Sequence, residues 1–218
     1  MFYVFITTYT TKQKFDNRGN AVCLFIMKYL VDRGFFDGKK RLKLTIVLDN
    51  CPGQNKNNIV LKLAPYLVEI GCFKKVGFLF LVRGNTKNFT DKRFNNMKNE
   101  YRKENLYTMK DLIASCNKSD YVVAEQVDWT DFFDYKNYFN DFYKKFEKML
   151  CYQMFTSSSE DIGLGRVELR TSNLENATVV IEDIRKGSAQ RRQQLIQQSP
   201  HFDKKRKHRK TKKGGRSK

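Results

Sequence analysis

KLTIVLDNCPGQNKNN, residues 43–58, decides how the chain is read. Leu44 to Leu48 is an apolar run rich in β-branched side chains, the composition of a strand buried on both faces. The run ends on a carboxylate, Asp49. Pro52 and Gly53 then call for a turn, and Gln54, Asn55, Asn57 and Asn58 crowd the way into the next element. Asn55 to Gly71 carries Ile59, Val60, Leu63, Leu67 and Ile70 at helical spacing, with Pro65 expected to kink or split that helix.

Working outward, VGFLFLV (76–82) is a second continuous apolar run and the best central strand; RGNTKNFTD (83–91) follows it. Upstream, FYVFITTY (2–9) reads as a strand. Asn20 reads as the N-cap of a helix over 21–34, with Val22, Phe25, Ile26, Leu30 and Val31 on its apolar face and Gly34 as its stop. Downstream, Phe94, Met97 and Tyr101 give a narrow apolar stripe among Lys92, Arg93, Lys98, Arg102 and Lys103. Thr108 with Asp111 forms a capping box for a helix ending near Cys116, and YVVAEQV (121–127) is another strand.

A helix opened by Thr130 and Asp131 carries Phe132, Tyr135, Phe139, Phe142 and Phe146. That stripe reads as core, with stacking on unpaired bases as the functional alternative. YQMF (152–155) and RVELRTS (166–172) suit a late hairpin. The alternation predicts one α/β domain over 1–172 with a parallel sheet and crossover helices. A polar helical or disordered extension (173–203) and a disordered basic tail (204–218) come after it. In such sheets the crevice lies at the carboxyl ends of strands, where DNCPGQNKNN and RGNTKNFTD both fall.

The 218 residues include 18 Phe, 11 Tyr and 1 Trp, and 40% are hydrophobic, so there is material for a core. The net charge of +19 points to a polyanionic partner, nucleic acid before an acidic membrane surface. Ten of the last fifteen residues, Lys204 to Lys218, are Lys or Arg and none is acidic. That tail is either a solvated solubility device or a nuclear-import and nucleic-acid-contacting segment. The five cysteines have no metal-binding spacing, and their odd count reads as reduced and intracellular. With His201 and His208 both in or beside the tail, zinc is not expected. No apolar run approaches transmembrane length, and MFYVFITTYT has neither the basic start nor the cleavage site of a signal peptide. Nothing in the sequence sets an oligomeric state.

A carboxylate at a strand's carboxyl end is a hard-oxygen ligand suited to Mg2+. Asp49 and Asp91 are so placed if their strands are neighbours, and two carboxylates sharing metals can activate a nucleophile for phosphodiester cleavage. Arg83, Lys56 and Lys87 would hold a phosphate backbone beside them. The bland reading is that Asp49 favours a turn and Asp91 a helix dipole. The amides cap a helix, hold the turn, or donate to phosphate and base edges.

DNCPGQNKNN followed by FLVRGNTKNFTDKRFNNMKNEYRKENLYTMKDL (80–112) resembles an uncharacterised domain of transposon-derived proteins, whose signatures are DNCxGQNKN and GHTKNxxD. The resemblance runs from about Gly19 to Trp129. It implies a DDE-type transposase catalytic core of the ribonuclease-H-like fold, with Mg2+ as cofactor. Asp49 and Asp91 then take the second and third acid positions, and Gln54, Asn55, Lys56, Arg83, Asn85, Thr86, Lys87 and Asn88 line the crevice. Phe2 to Tyr9 takes the third strand's place, so the first two strands and the first acid are missing, and Asp16 is no equivalent. Asn85 replaces the motif histidine. The expectation is a truncated, inactive, nuclear protein that binds nucleic acid, DNA before RNA. Its rivals are a DNA- or RNA-binding protein driven by charge alone and a metal-dependent nuclease or transposase completed by further N-terminal sequence.

Overall fold

The computed structural model describes residues 2–6, 18–39, 41–82, 89–119, 122–127, 133–172, 174–187, 193–195 and 197, with the backbone path alone at 2–6 and 89–94. The chain divides into two compact units, Met1–Asp16 with Leu81–Phe132, and Asn17–Phe80 with Phe133–Lys218.

The larger unit is built on the 43–58 segment. Strand β2 (Arg41–Leu48) passes through helix α2 (Asn58–Glu69) into β3 (Phe73–Phe80), and the two strands pair in parallel with Thr45 opposite Gly77. The late hairpin forms as β5 (Met154–Ser158) and β6 (Arg166–Arg170), and with β7 (Val179–Asp183) the sheet order is β2-β3-β5-β6-β7. Every pairing beyond β3 is antiparallel, so the sheet is mixed. Helix α2 packs over β3 and β5, with α1 (Arg18–Asp32) and α5 (Tyr135–Phe142) beside it. The core lies between them: Leu63, Leu67, Val76, Phe78, Phe139, Phe155 and Leu169 are all buried. Those aromatic residues of the 132–146 stripe that are described, Tyr135, Phe139, Phe142 and Phe146, are buried, which is the core reading.

Four details depart from the sequence reading. Among the described residues β2 is an edge strand rather than one buried on both faces, and Leu42 (73% exposed) and Val47 (52%) face outward. The helix over 58–69 continues through Pro65 without splitting. Residues 179–183 form β7 (Val179–Asp183) instead of a helical or disordered extension, because Ile181 falls in register with Glu168 and Val180 with Leu169. The aromatic helix ends at Phe142, since tertiary partners claim the backbone beyond it. Lys144 N–H donates to Ile184 O at 2.6 Å, Lys186 N–H to Phe142 O at 2.8 Å, and Tyr143 bridges Arg185 in an antiparallel pair.

Helix α1 ends as expected at Gly34. Gly34 N–H donates to Val31 O and Phe35 N–H to Leu30 O, both at 2.9 Å, with Gly34 at φ +71°, a left-handed closure that glycine adopts without strain. Its start differs: α1 begins at Arg18, and Asn20 is buried inside it. The Asn20 Oδ1 accepts from Lys136 N–H at 2.9 Å and its Nδ2 donates to Asp134 Oδ1 at 3.3 Å, so it serves the first turn of α5. Asp134 Oδ1 caps that same turn by accepting from Asn137 N–H. The buried face of α1 is Cys23, Leu24, Met27 and Leu30; Val22, Phe25, Ile26 and Val31 are only half-buried.

In the smaller unit β1 (Phe2–Ile6) pairs in parallel with β4 (Val122–Gln126), a two-stranded sheet where the alternation predicts one sheet for all early strands. Helix α3 (Phe89–Tyr101) and α4 (Met109–Cys116) join it through a small core of Met97, Cys116, Val122 and Ala124. The capping box at Thr108 and Asp111 is formed. Asn117 closes the turn into β4, its side chain bonding both the N–H and the carbonyl of Ala124.

Candidate functional site

At the carboxyl end of β2, Asp49 is exposed and the chain turns at once. Asn55 N–H and Lys56 N–H both donate to Cys51 O, at 3.1 and 3.0 Å, folding residues 51–56 into a tight loop. The side chains of three consecutive motif residues are then bonded within the protein. Lys56 is 1% exposed; its Nζ donates to Leu150 O at 3.2 Å and sits 5.4 Å from the centroid of the Phe80 ring. Burial holds its ammonium below the usual lysine pKa, opposed by neighbouring Cys151. Asn57 is the N-cap of α2, its Oδ1 accepting from Ile59 N–H at 2.9 Å and Val60 N–H at 3.1 Å. Its Nδ2 donates back to Gln54 O at 2.8 Å. Asn58 Oδ1 accepts from Phe146 N–H at 2.7 Å, and its Nδ2 reaches Met149 Sδ at 3.5 Å.

The expectation that Lys56 faces a phosphate is therefore corrected. An ammonium already desolvated and bonded to a buried carbonyl serves the fold, and the loop offers solvent the side chains of Asp49 and Gln54, with Asn55 half-buried. Arg83, Asn85, Thr86, Lys87 and Asn88, and the tail 204–218, lie outside the described residues, as does the side chain of Asp91. The backbone of Asp91 lies in the first turn of α3, and Asp49 and Asp91 belong to different compact units. Among the described residues no group of three or more His, Cys, Asp or Glu stands together as a metal site, and no helix is long and apolar enough to cross a membrane. The described cysteines are free thiols.

Sequence reasoning missed Gly19, which closes the motif from outside it. A Cβ there would lie 2.8 Å from Asn57 Oδ1 and 3.1 Å from Ile59 Cδ1. Asn57 is fixed by its hydrogen bonds and cannot swing away. Gly19→Ala gains about 1 kcal/mol of helix propensity but forces a displacement costing about 1–3 kcal/mol. A net loss of about 1 kcal/mol is expected in chemical denaturation; a stabilised variant would mean that the cap is free to shift.

Residues 4–173 match a family described as Domain of unknown function (DUF7869). The chain belongs to the DUF7869 family. No curated protein and no solved structure matches it. In this DUF7869 chain the matched span takes in both motif-bearing strand ends and closes before β7. The matched residues therefore include Lys56, Asn57, Asn58 and Gly19, the four that lock the α2 entry.

Proposed function

We propose that this DUF7869 chain is a transposon-derived nucleic-acid-binding protein, with a ribonuclease-H-like core related to a DDE-type transposase, that binds DNA without cutting it. The observation that carries the reading is charge: +19 overall, with ten of the last fifteen residues basic. Phosphate neutralisation by Lys and Arg supplies most of the affinity of such proteins. The core assignment is supported by the parallel β2–β3 pair, its α2 crossover, and an exposed acid at the end of β2; the pairing of β1 with β4 is not part of that correspondence. Binding without cleavage is supported by Asn85 in the place of the motif histidine. Mg2+ would be held by hard oxygen ligands: Asp49, exposed at the end of β2, would supply one, and Asp91 is the second acid that the resemblance assigns to it. The tail doubles as a nuclear-import signal.

Salt-dependent DNA binding tests this. The full chain is expected to show a steep negative slope of log K against log salt, and deletion of Lys204 to Lys218 to reduce that slope without abolishing binding. A wild-type chain with no measurable affinity at low salt ends the proposal. Calorimetric Mg2+ titration of the DNA complex, with and without Asp49→Asn, checks the ion; identical isotherms remove Asp49 from it.

A further inference from the structure

Helix α3 carries two faces. Met97 and Tyr101 pack on the small core of their unit, and Asn96, Asn99 and Glu100 fall on an adjacent polar stripe that Lys103 continues just past the helix. Together with Arg102, and with Lys118 and Ser119 from the turn after α4, this stripe lines an open cleft of about 650 Å³. The cleft is open and polar, a groove along which a chain can lie rather than a pocket that encloses a small molecule.

The lining is unusual in its chemistry. Three cations, Arg102, Lys103 and Lys118, stand with two carboxylates, Glu100 in the lining and Glu104 against Lys118, and the remaining lining groups are two amides and a hydroxyl. Lys103 Nζ lies 3.0 Å from Glu100 Oε1, and Lys118 Nζ lies 2.6 Å from Glu104 Oε1. Both are surface pairs of the kind worth about 0–1 kcal/mol. Both lysines are thus ion-paired, by contacts weak enough for a polyanion to displace the carboxylates. Arg102 is exposed, and its guanidinium has no carboxylate partner among the described residues. A planar fork with free donors, flanked by two ammonium groups and by amide N–H donors, matches an anion with several oxygens spaced along a chain.

We infer that this cleft seats the phosphate backbone of a nucleic-acid strand, with Arg102 as the fork and Lys103 and Lys118 on neighbouring phosphates. The inference rests on the nucleic-acid reading of the whole chain and adds a folded site to the tail. It also explains why α3 carries amides rather than more charge on this stripe: Asn96 and Asn99 donate to phosphate or sugar oxygens at fixed positions.

The test is fluorescence anisotropy with a labelled DNA duplex, using the full chain and its Arg102→Gln/Lys118→Gln double variant. Each lost phosphate contact removes close to one unit of salt slope. The double variant is therefore expected to lose about two units and to bind about tenfold more weakly. Lys110→Gln/Lys136→Gln removes the same charge from exposed positions outside the cleft and is expected to change binding much less. In wild-type protein the Asn96 and Asn99 side-chain amide signals should shift on adding DNA. Equal losses in the two double variants, or amide signals that stay in place, overturn the cleft while leaving tail-driven binding intact. A wild-type chain that binds no DNA overturns the reading beneath it as well.

Discussion

A Lys62→Met variant is expected to match or exceed the stability of the wild type at pH 7 and to fall behind it by pH 10.5. Lys62 is 1% exposed in the middle of α2, where its Nζ donates to Asn140 Oδ1 at 2.7 Å. Lys186 Nζ donates to the backbone carbonyl of the same Asn140 at 2.6 Å. Burial, then the positive charges of Lys186 and Lys145, push the Lys62 pKa down from 10.5 to about 8. Below pH 8 the folded and unfolded states are both protonated, and the folded state carries the full cost of a buried charge. Between pH 8 and 10.5 the folded state has released the proton while the unfolded chain keeps it, so stability rises with pH. The whole shift corresponds to about 3 kcal/mol. Methionine fills the same space, gives up one hydrogen bond, and does not titrate. The difference in unfolding free energy between the two proteins should swing by about 3 kcal/mol in favour of the wild type from pH 7 to 10.5. Parallel pH profiles would show that Lys62 reaches water.

Asn57→Ala is expected to cost about 2 kcal/mol and to leave DNA affinity unchanged. The asparagine does two things at once. Its oxygen satisfies two helix N–H groups, and loss of such a cap costs about 1 kcal/mol. Its amide nitrogen holds the Gln54 carbonyl, a net contribution of about 1 kcal/mol. Asn57→Asp separates the two: the acceptor survives, with a favourable charge at the helix start, while the donor is lost. That variant should fall between wild type and alanine in denaturation midpoint. If Asn57→Ala instead weakens DNA binding while melting normally, the motif's amides work on the ligand and not on the loop.

The elements with strong local signals were legible from the sequence. The capping box at Thr108 and Asp111, the glycine stop at Gly34, the β2–α2–β3 unit and the late hairpin all arise from spacing and turn chemistry. The features that could not be read depend on contacts between distant residues. Helix α1 is apolar nearly all round from Val22 to Met27, so periodicity cannot choose its inner face; its packing against α2 and α5 does. β7 is short, and Ile181 is 53% exposed; only its register with β6 makes it a strand. Lys56 sits among amides and reads as surface, while its burial is decided by the Leu150 carbonyl and the Phe80 ring. The basic character of α3 was visible beforehand, but the contribution of Lys118 and Ser119 to the same cleft was not, because it needs the turn after α4 to fold back.

The backbone ties among Phe142, Lys144, Ile184 and Lys186 bear on where this protein can be divided. Phe146, a few residues after those ties, is held by Asn58 of the α2 entry, and Ile184 N–H also donates to Gly165 O. Inheritance and cooperativity thus draw different boundaries: the shared family sequence closes at residue 173, yet the segment that steadies the loop against the QNKNN motif is anchored by residues past 180. A relative that kept the motif but changed the chain beyond its last shared strand would have to secure the motif's surroundings by some other means.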